Sequence, residues 1–168
     1  MASRKDRASR VQKLAVVVLV AAFAAPIGAQ AQPPDGETAQ TAAVGRDFVH
    51  MFFVQHNVTA ALNKYAAPDL IQHNPDIENG GDGDLKFFAA RRQRDPSHVQ
   101  PESQWRDTID HFLADHDLFA VHHHVYTSAT DRGRVFLDLY RVVNGKIVEH
   151  WDVIQPVPDA SKNGNTMW

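Results

Sequence analysis

The sequence contains no cysteine, which removes disulfides, thiolate metal ligands and thiol nucleophiles from consideration together. Long apolar runs are also scarce. The one that stands out, Leu14 to Ala25, falls short of the about 20 residues a membrane-spanning helix needs. Arg4, Lys5, Arg7, Arg10 and Lys13 surround its start and Ala29-Gln30-Ala31 follows it, the order of a cleavable secretory signal. Residues 1–31 are therefore expected to be removed, and the chain from Gln32 onward to be periplasmic or secreted.

Positive charge is what the remainder lacks. Of 17 Lys and Arg and 20 Asp and Glu, the leader takes five and one, leaving 12 against 19 and a net charge of −7 with histidine neutral. That sign excludes nucleic acid and, after cleavage, an anionic membrane as partners. With no disulfide available, residues 32–168 must be held by one hydrophobic core, and their number suits a single domain.

Residues 32–43, beginning "QPPDGETAQT", are polar and aperiodic and predict a flexible lead-in. From there Val44, Phe48, Met51 and Phe52 recur at helical spacing. Asn57 is placed to cap a second helix with Val58, Ala61, Leu62 and Tyr65 on one face, stopped by Pro68. Asp84 is placed to cap a third, whose end carries Arg91, Arg92 and Arg94 as a solvated basic face. After Pro101 the apolar period becomes two, predicting strands at 104–113, 118–128, 134–143 and 146–155, the last two joined by an Asn144-Gly145 turn. Three helices followed by an antiparallel meander form an α+β fold with the helices on one face of the sheet. The domain is expected to span 44–156, with residues 157–168 as a tail whose Met167-Trp168 end docks.

Polar groups interrupt this pattern in three places. His73-Asn74 begins the sheet, "AVHHHVYT" carries His122 and His124 on one face, and "VFLDLYR" sets Asp138 on a face shared with Phe136 and Tyr140. A buried carboxylate needs a partner or a function. A symmetric five-residue loop would pair Ser128 with Arg134, setting His124 opposite Asp138 and His122 opposite Tyr140, the elements of a general acid/base pair. In the last hairpin a two-residue type I′ turn would set Trp151 opposite Asp138, with Glu149 and Gln155 on the same face; a Gly145 bulge would bring His150 and Asp152 there instead. The preference of Asn-Gly for two-residue turns favours the first register. His122 and His124 could share a metal only if His73 or Asp138 joined them, and no compact ligand motif is present, so neither metal nor cofactor is expected.

The segments "KYAAPDLIQHNP", "LADHDLFAVHHH", "LDLYRVVNGKIVEHWDVIQ" and "PVPDASKNGNTMW" resemble the SnoaL-like branch of the nuclear-transport-factor-2-like superfamily, in particular a group described as aldol-condensation enzymes. The resemblance covers Val44 to Trp168. It implies a cone-shaped barrel, three helices wrapped on a strongly curved sheet with a pocket at the open end, commonly dimeric. His73, Asn74 and His122 match the family's pocket histidines and amide. In the polyketide cyclases of that family an acid/base Asp and a His carry the chemistry, and their positions fall here on Gln155 and Asp138, so the resemblance implies the pocket and not the aldol chemistry itself.

Taken together, these features lead to an exported enzyme that takes a proton from a small carbonyl compound. Asp138 would be the base, tuned by His122 or His124; His73, Asn74 and Tyr140 would hold the enolate oxygen; Phe136 and Trp151 would wall the pocket. The alternative is a non-catalytic periplasmic module that binds a small hydrophobic ligand in the same cone.

Overall fold

Asp35 caps the first helix, its carboxylate accepting the Thr38 amide at 2.7 Å, so helix α1 (Gly36–Val49) begins well before the apolar stripe that predicts it. The computed structural model describes residues 34–94, 106–126 and 130–168, without the side chains of 91–94. The expected signal segment, the Arg91, Arg92 and Arg94 side chains and the expected strand start at Gln104 lie outside that description. The polar composition of 36–43 concealed helix because its inward residues are small: Thr41 is buried, and Gly45 lies against the Phe119 and Phe112 rings.

A π-helical turn (His50–Val54) continues α1 and turns Phe53 into the core. Helix α2 (Val58–Tyr65) starts at the expected cap, Asn57, whose side chain accepts the Ala60 amide, and buries Ala61, Leu62 and Tyr65. The helix stops at Tyr65, and Pro68 lies inside strand β1 (Ala66–Gln72). Helix α3 (Gly83–Arg94) follows. Strands β2 (Arg106–Asp115), β3 (Leu118–Tyr126), β4 (Arg134–Val143) and β5 (Lys146–Pro156) complete a five-stranded sheet in the order β1-β5-β4-β3-β2. Only β1 runs parallel to its neighbour; the other pairings are antiparallel.

The inner, helix-facing side of the sheet carries Phe119 and Val121 of β3, Tyr140 and Val142 of β4 and Ile147 of β5, which pack with Phe48, Phe53, Leu62, Tyr65 and Leu70. Each fully buried side chain of this size contributes about 1.5–3 kcal/mol. This requirement decides which face of β3 turns inward. Pairing closes at Val125 opposite Arg134, not at Ser128, a displacement of three residues, and an odd displacement turns every side chain to the other face. Gly133 permits it: its φ is +79°, and a Cβ there would stand 2.2 Å from the Val125 carbonyl oxygen. Val121 is therefore opposite Asp138, and Phe119 opposite Tyr140.

The last hairpin combines both expected geometries. Asn144 and Gly145 have φ of 51° and 75°, the conformation of a type I′ turn, and Val143 pairs with Lys146. One step further the register shifts: Val142 pairs with Ile147 but Arg141 with Glu149, so Val148 is the extra residue of a bulge. The bulge keeps Ile147 in the core while turning His150 and Asp152 inward, opposite Tyr140 and Asp138. The ion pair between Arg141 and Glu149 (3.0 Å) and the stack of Tyr140 on His150 (4.5 Å) hold the shifted register.

Candidate functional site

Asp138 is 4% exposed, His123 2% and His150 7%, so the helix-facing side of the sheet encloses a carboxylate between two imidazoles. His123 Nε2 meets Asp138 Oδ2 at 2.7 Å, and its Nδ1 meets Asp107 Oδ1 at 2.6 Å. His150 Nε2 faces the other Asp138 oxygen at 3.3 Å, and its Nδ1 faces Gln72 Oε1 at 2.8 Å. Gln72 Nε2 in turn donates to Asp84 Oδ2 at 2.9 Å. A continuous chain, Asp107, His123, Asp138, His150, Gln72, Asp84, thus runs from β2 across the sheet to the first turn of α3. Asp152 lies beside it, holding the Asn74 amide at 2.6 Å.

Local sequence explains each position. Odd-numbered Asp107, Val121 and His123 and even-numbered Asp138, Tyr140, His150 and Asp152 are what β2 to β5 present inward once the registers above are set. Gln72 pairs with His150 across the parallel β1–β5 contact. Asp84 does not cap α3: it lies within the helix, and its side chain turns to Gln72.

Both ring nitrogens of His123 face carboxylates, and only the imidazolium can donate to both. Burial lowers its pKa, but the bonds to Asp107 and Asp138 outweigh that and push it up to about 9. For Asp138 burial acts upward, yet the hydrogen bonds and charges of His123 and His150 hold it below the usual carboxylate range. Asp84 goes the other way, raised because burial dominates the partial compensation from His150 and Gln72. Tyr140 is pushed well up by burial and by the neighbouring carboxylates, and it keeps its proton. Aromatic rings close around the chain: Phe53 lies 4.5 Å and Phe136 5.0 Å from the His123 ring centroid.

Of the residues singled out in the sequence, Asp138, Phe136, Tyr140 and Asn74 belong to this inner cluster. His122, His124, His73, Trp151 and Gln155 do not; the two odd shifts of register set those of β3 and β5 on the outer face, and His73, just past the end of β1, joins Trp151 there. There His122 Nδ1 meets His111 Nδ1 at 3.3 Å, and His73 stacks on Trp151 at 4.7 Å while bonding Glu149. His124 lies under Trp168, their centroids 3.9 Å apart, beside a cleft of about 380 Å³ lined also by Tyr126, Asp131 and Arg132. Gln155 is exposed opposite Val135. Sequence reasoning passed over His123, Asp107, Gln72 and Asp84. An imidazole between Phe119-Ala120-Val121 and Val125 was the available signal, since the strand's apolar positions share its parity. Asp138, His150 and Asp152 each offer a ligand atom within 4.8 Å of the others, the group among the described residues with the donors to hold a metal ion.

No protein-family model and no curated protein matches the sequence. Solved structures do. A provisionally named ketosteroid isomerase from Kribbella flavida is 18% identical, with 76% of this chain and 86% of that one covered at a TM-score of 0.57. An NTF2-like protein of unknown function from Mesorhizobium loti is 22% identical over 73% of this chain and 97% of that one, at 0.56. A provisionally named SnoaL-like polyketide cyclase from Jannaschia is 12% identical over 73% and 90%, also at 0.56. What is shared at these identities is the fold: three helices on a curled mixed sheet, the fold of SnoaL-like members of the nuclear-transport-factor-2-like superfamily.

Proposed function

We propose that this chain, with the fold of SnoaL-like and ketosteroid-isomerase-like proteins, is an exported enzyme that moves a proton on a small carbonyl compound. One observation carries the reading. Two carboxylates joined through Gln72 and His150 are pushed in opposite directions, Asp138 down and Asp84 up, the pattern that separates a permanent anion from a proton carrier.

In this scheme Asp138 is not the base. Both its oxygens face histidines and it stays ionised, holding His150 and His123 in place. Asp84 takes the proton: the C–H bond next to the carbonyl breaks, its electron pair passes into the enolate, and an O–H bond forms on Asp84. Returning that proton to another carbon completes an isomerisation. Tyr140, which keeps its proton, is the candidate donor to the enolate oxygen. Export by the 1–31 segment and assembly as a homodimer belong to the same proposal.

A binding module for a small hydrophobic ligand is the second reading, favoured by the fact that each nitrogen of His123 and His150 already faces a partner within the protein. Deuterium entry separates the two. The chain from Gln32 is incubated in heavy water with small β-diketones and β-keto esters, and exchange at the activated carbon is followed. Wild type should accelerate exchange for at least one compound, and Asp84→Asn should lose about 10² to 10⁴ of that rate with an unchanged thermal melt. Tight binding without exchange would establish the module instead.

A further inference from the structure

The hydrogen bonds around His150 aim its ring at two inward carboxylates, Asp138 and Asp152. Gln72 is pinned from both ends, its Nε2 donating to Asp84 and its Oε1 accepting from His150 Nδ1. His150 Nδ1 is thereby held by Gln72, and Nε2 is the ring nitrogen that faces the carboxylates. That nitrogen faces Asp138 Oδ1 at 3.3 Å, at a carboxylate that is 4% exposed. Asp152 adds a second carboxylate directly across the strand pair, with the three ligand atoms within 4.8 Å of one another.

The outer supports of these groups are already in place. His123 holds Asp138 Oδ2, Asn74 holds Asp152 Oδ2 and Gln72 holds His150 Nδ1, so each ligand is oriented through one atom and presents another. Metal-binding imidazoles and carboxylates are supported in this way. The 3.3 Å between His150 Nε2 and Asp138 Oδ1 matches the edge of a tetrahedron with bonds of about 2.0–2.1 Å. We infer that Asp138, His150 and Asp152 bind one divalent transition-metal cation of the Zn²⁺ or Co²⁺ kind. One imidazole and two carboxylates suit such ions and leave a coordination position for an oxygen of a substrate. The inference stands on the ligand geometry and goes beyond the proton-transfer reading, on which it does not depend.

The test uses the chain from Gln32, stripped with EDTA and titrated with Zn²⁺ alone by calorimetry and with Co²⁺ by its visible d–d absorption. One ion per chain should bind. Asp152→Asn, which keeps the size of the side chain, should weaken binding at least about tenfold and abolish the Co²⁺ spectrum without lowering the melting temperature. His111→Asn, which breaks the exposed His111–His122 pair, should change neither. The inference is overturned if no ion binds, if binding survives Asp152→Asn undiminished, or if it disappears with His111→Asn. Deuterium exchange by the stripped protein is read separately: exchange without ion uptake removes the cation site and leaves the proton-transfer reading, and uptake without exchange does the reverse.

Discussion

At the scale of single residues, His123 is the side chain on which the buried charges depend. It stands between Asp107 and Asp138, and removing it would leave two inward carboxylates without their shared partner, a loss of about 3–5 kcal/mol for a broken buried pair. Its pKa of about 9 in the fold exceeds the ordinary 6.5, which sets the sign of a pH dependence. The imidazolium's contribution is complete below pH 6.5 and is lost as the pH rises through about 9. Denaturant midpoints should therefore fall between those values, and Asp107→Asn, by removing one of the two carboxylates, should move the fall to lower pH. A flat profile from neutral to pH 9 would show that His123 is neutral in the fold. Asp138, held low, acts at the opposite end: its contribution is present above the ordinary carboxylate value of 3.8 and disappears as the pH drops through its lowered one.

At the scale of elements, two irregularities decide what the sheet presents. The β3–β4 loop closes three residues from the symmetric position, and the Val148 bulge adds one residue to β5. Both displacements are odd, so both exchange faces. Their consequences differ in kind: the first replaces His122 and His124 by His123, and the second replaces Trp151 by His150 and Asp152. Gly145 supports the hairpin through its positive φ with open space where a Cβ would stand, so Gly145→Ala should cost about 1 kcal/mol through backbone conformation alone. Gly45 in α1 tests packing instead. Alanine there gains up to about 1 kcal/mol of helix propensity, but its Cβ would stand 2.7 Å from the Phe119 ring, and overpacking of that kind costs about 1–3 kcal/mol. Thermal melts should show Gly45→Ala no more stable than wild type, and a clear gain would mean that α1 does not press on β3 as described.

At the scale of the whole molecule, the outer face of the sheet carries the surface with the least explanation in a monomer. Exposed Leu137 and Val153 are directly paired, and exposed Leu113 lies on the same face two strands away. Exposed apolar side chains that share one face suit burial in an assembly, and a second copy of the chain supplies a matching face by symmetry. Material exported from an expressing bacterium should therefore show a chain mass that begins at or near Gln32 and a light-scattering mass twice as large. Leu137→Lys should return it to the monomer without loss of fold. A full-length chain in the membrane fraction would overturn export, and a monomeric wild type would overturn the dimer.

Much of this protein was legible from residue order, because the signals involved are local. Asn57 as a cap, Asn144-Gly145 as a type I′ turn and the change of apolar period after Pro101 are properties of a few neighbouring residues, and they yield the helices, the meander and the α+β class. Asp138 was legible as well, since a carboxylate between two leucines in a strand demands a partner wherever the strand lies. Its partners were not legible. Side-chain direction in a strand has a period of two, so the identity of a cross-strand neighbour depends on counting residues through a loop and a bulge, and an error of one or three reverses the answer. Only the packing of Phe119, Val121 and Ile147 against α1 and α2 decides that count, and with it that His123, His150 and Asp152 face inward. Asp84 shows the same limit across greater distance. Its sequence context marks a helix start, and only the position of β1 beside β5 brings Gln72 within reach of its carboxylate.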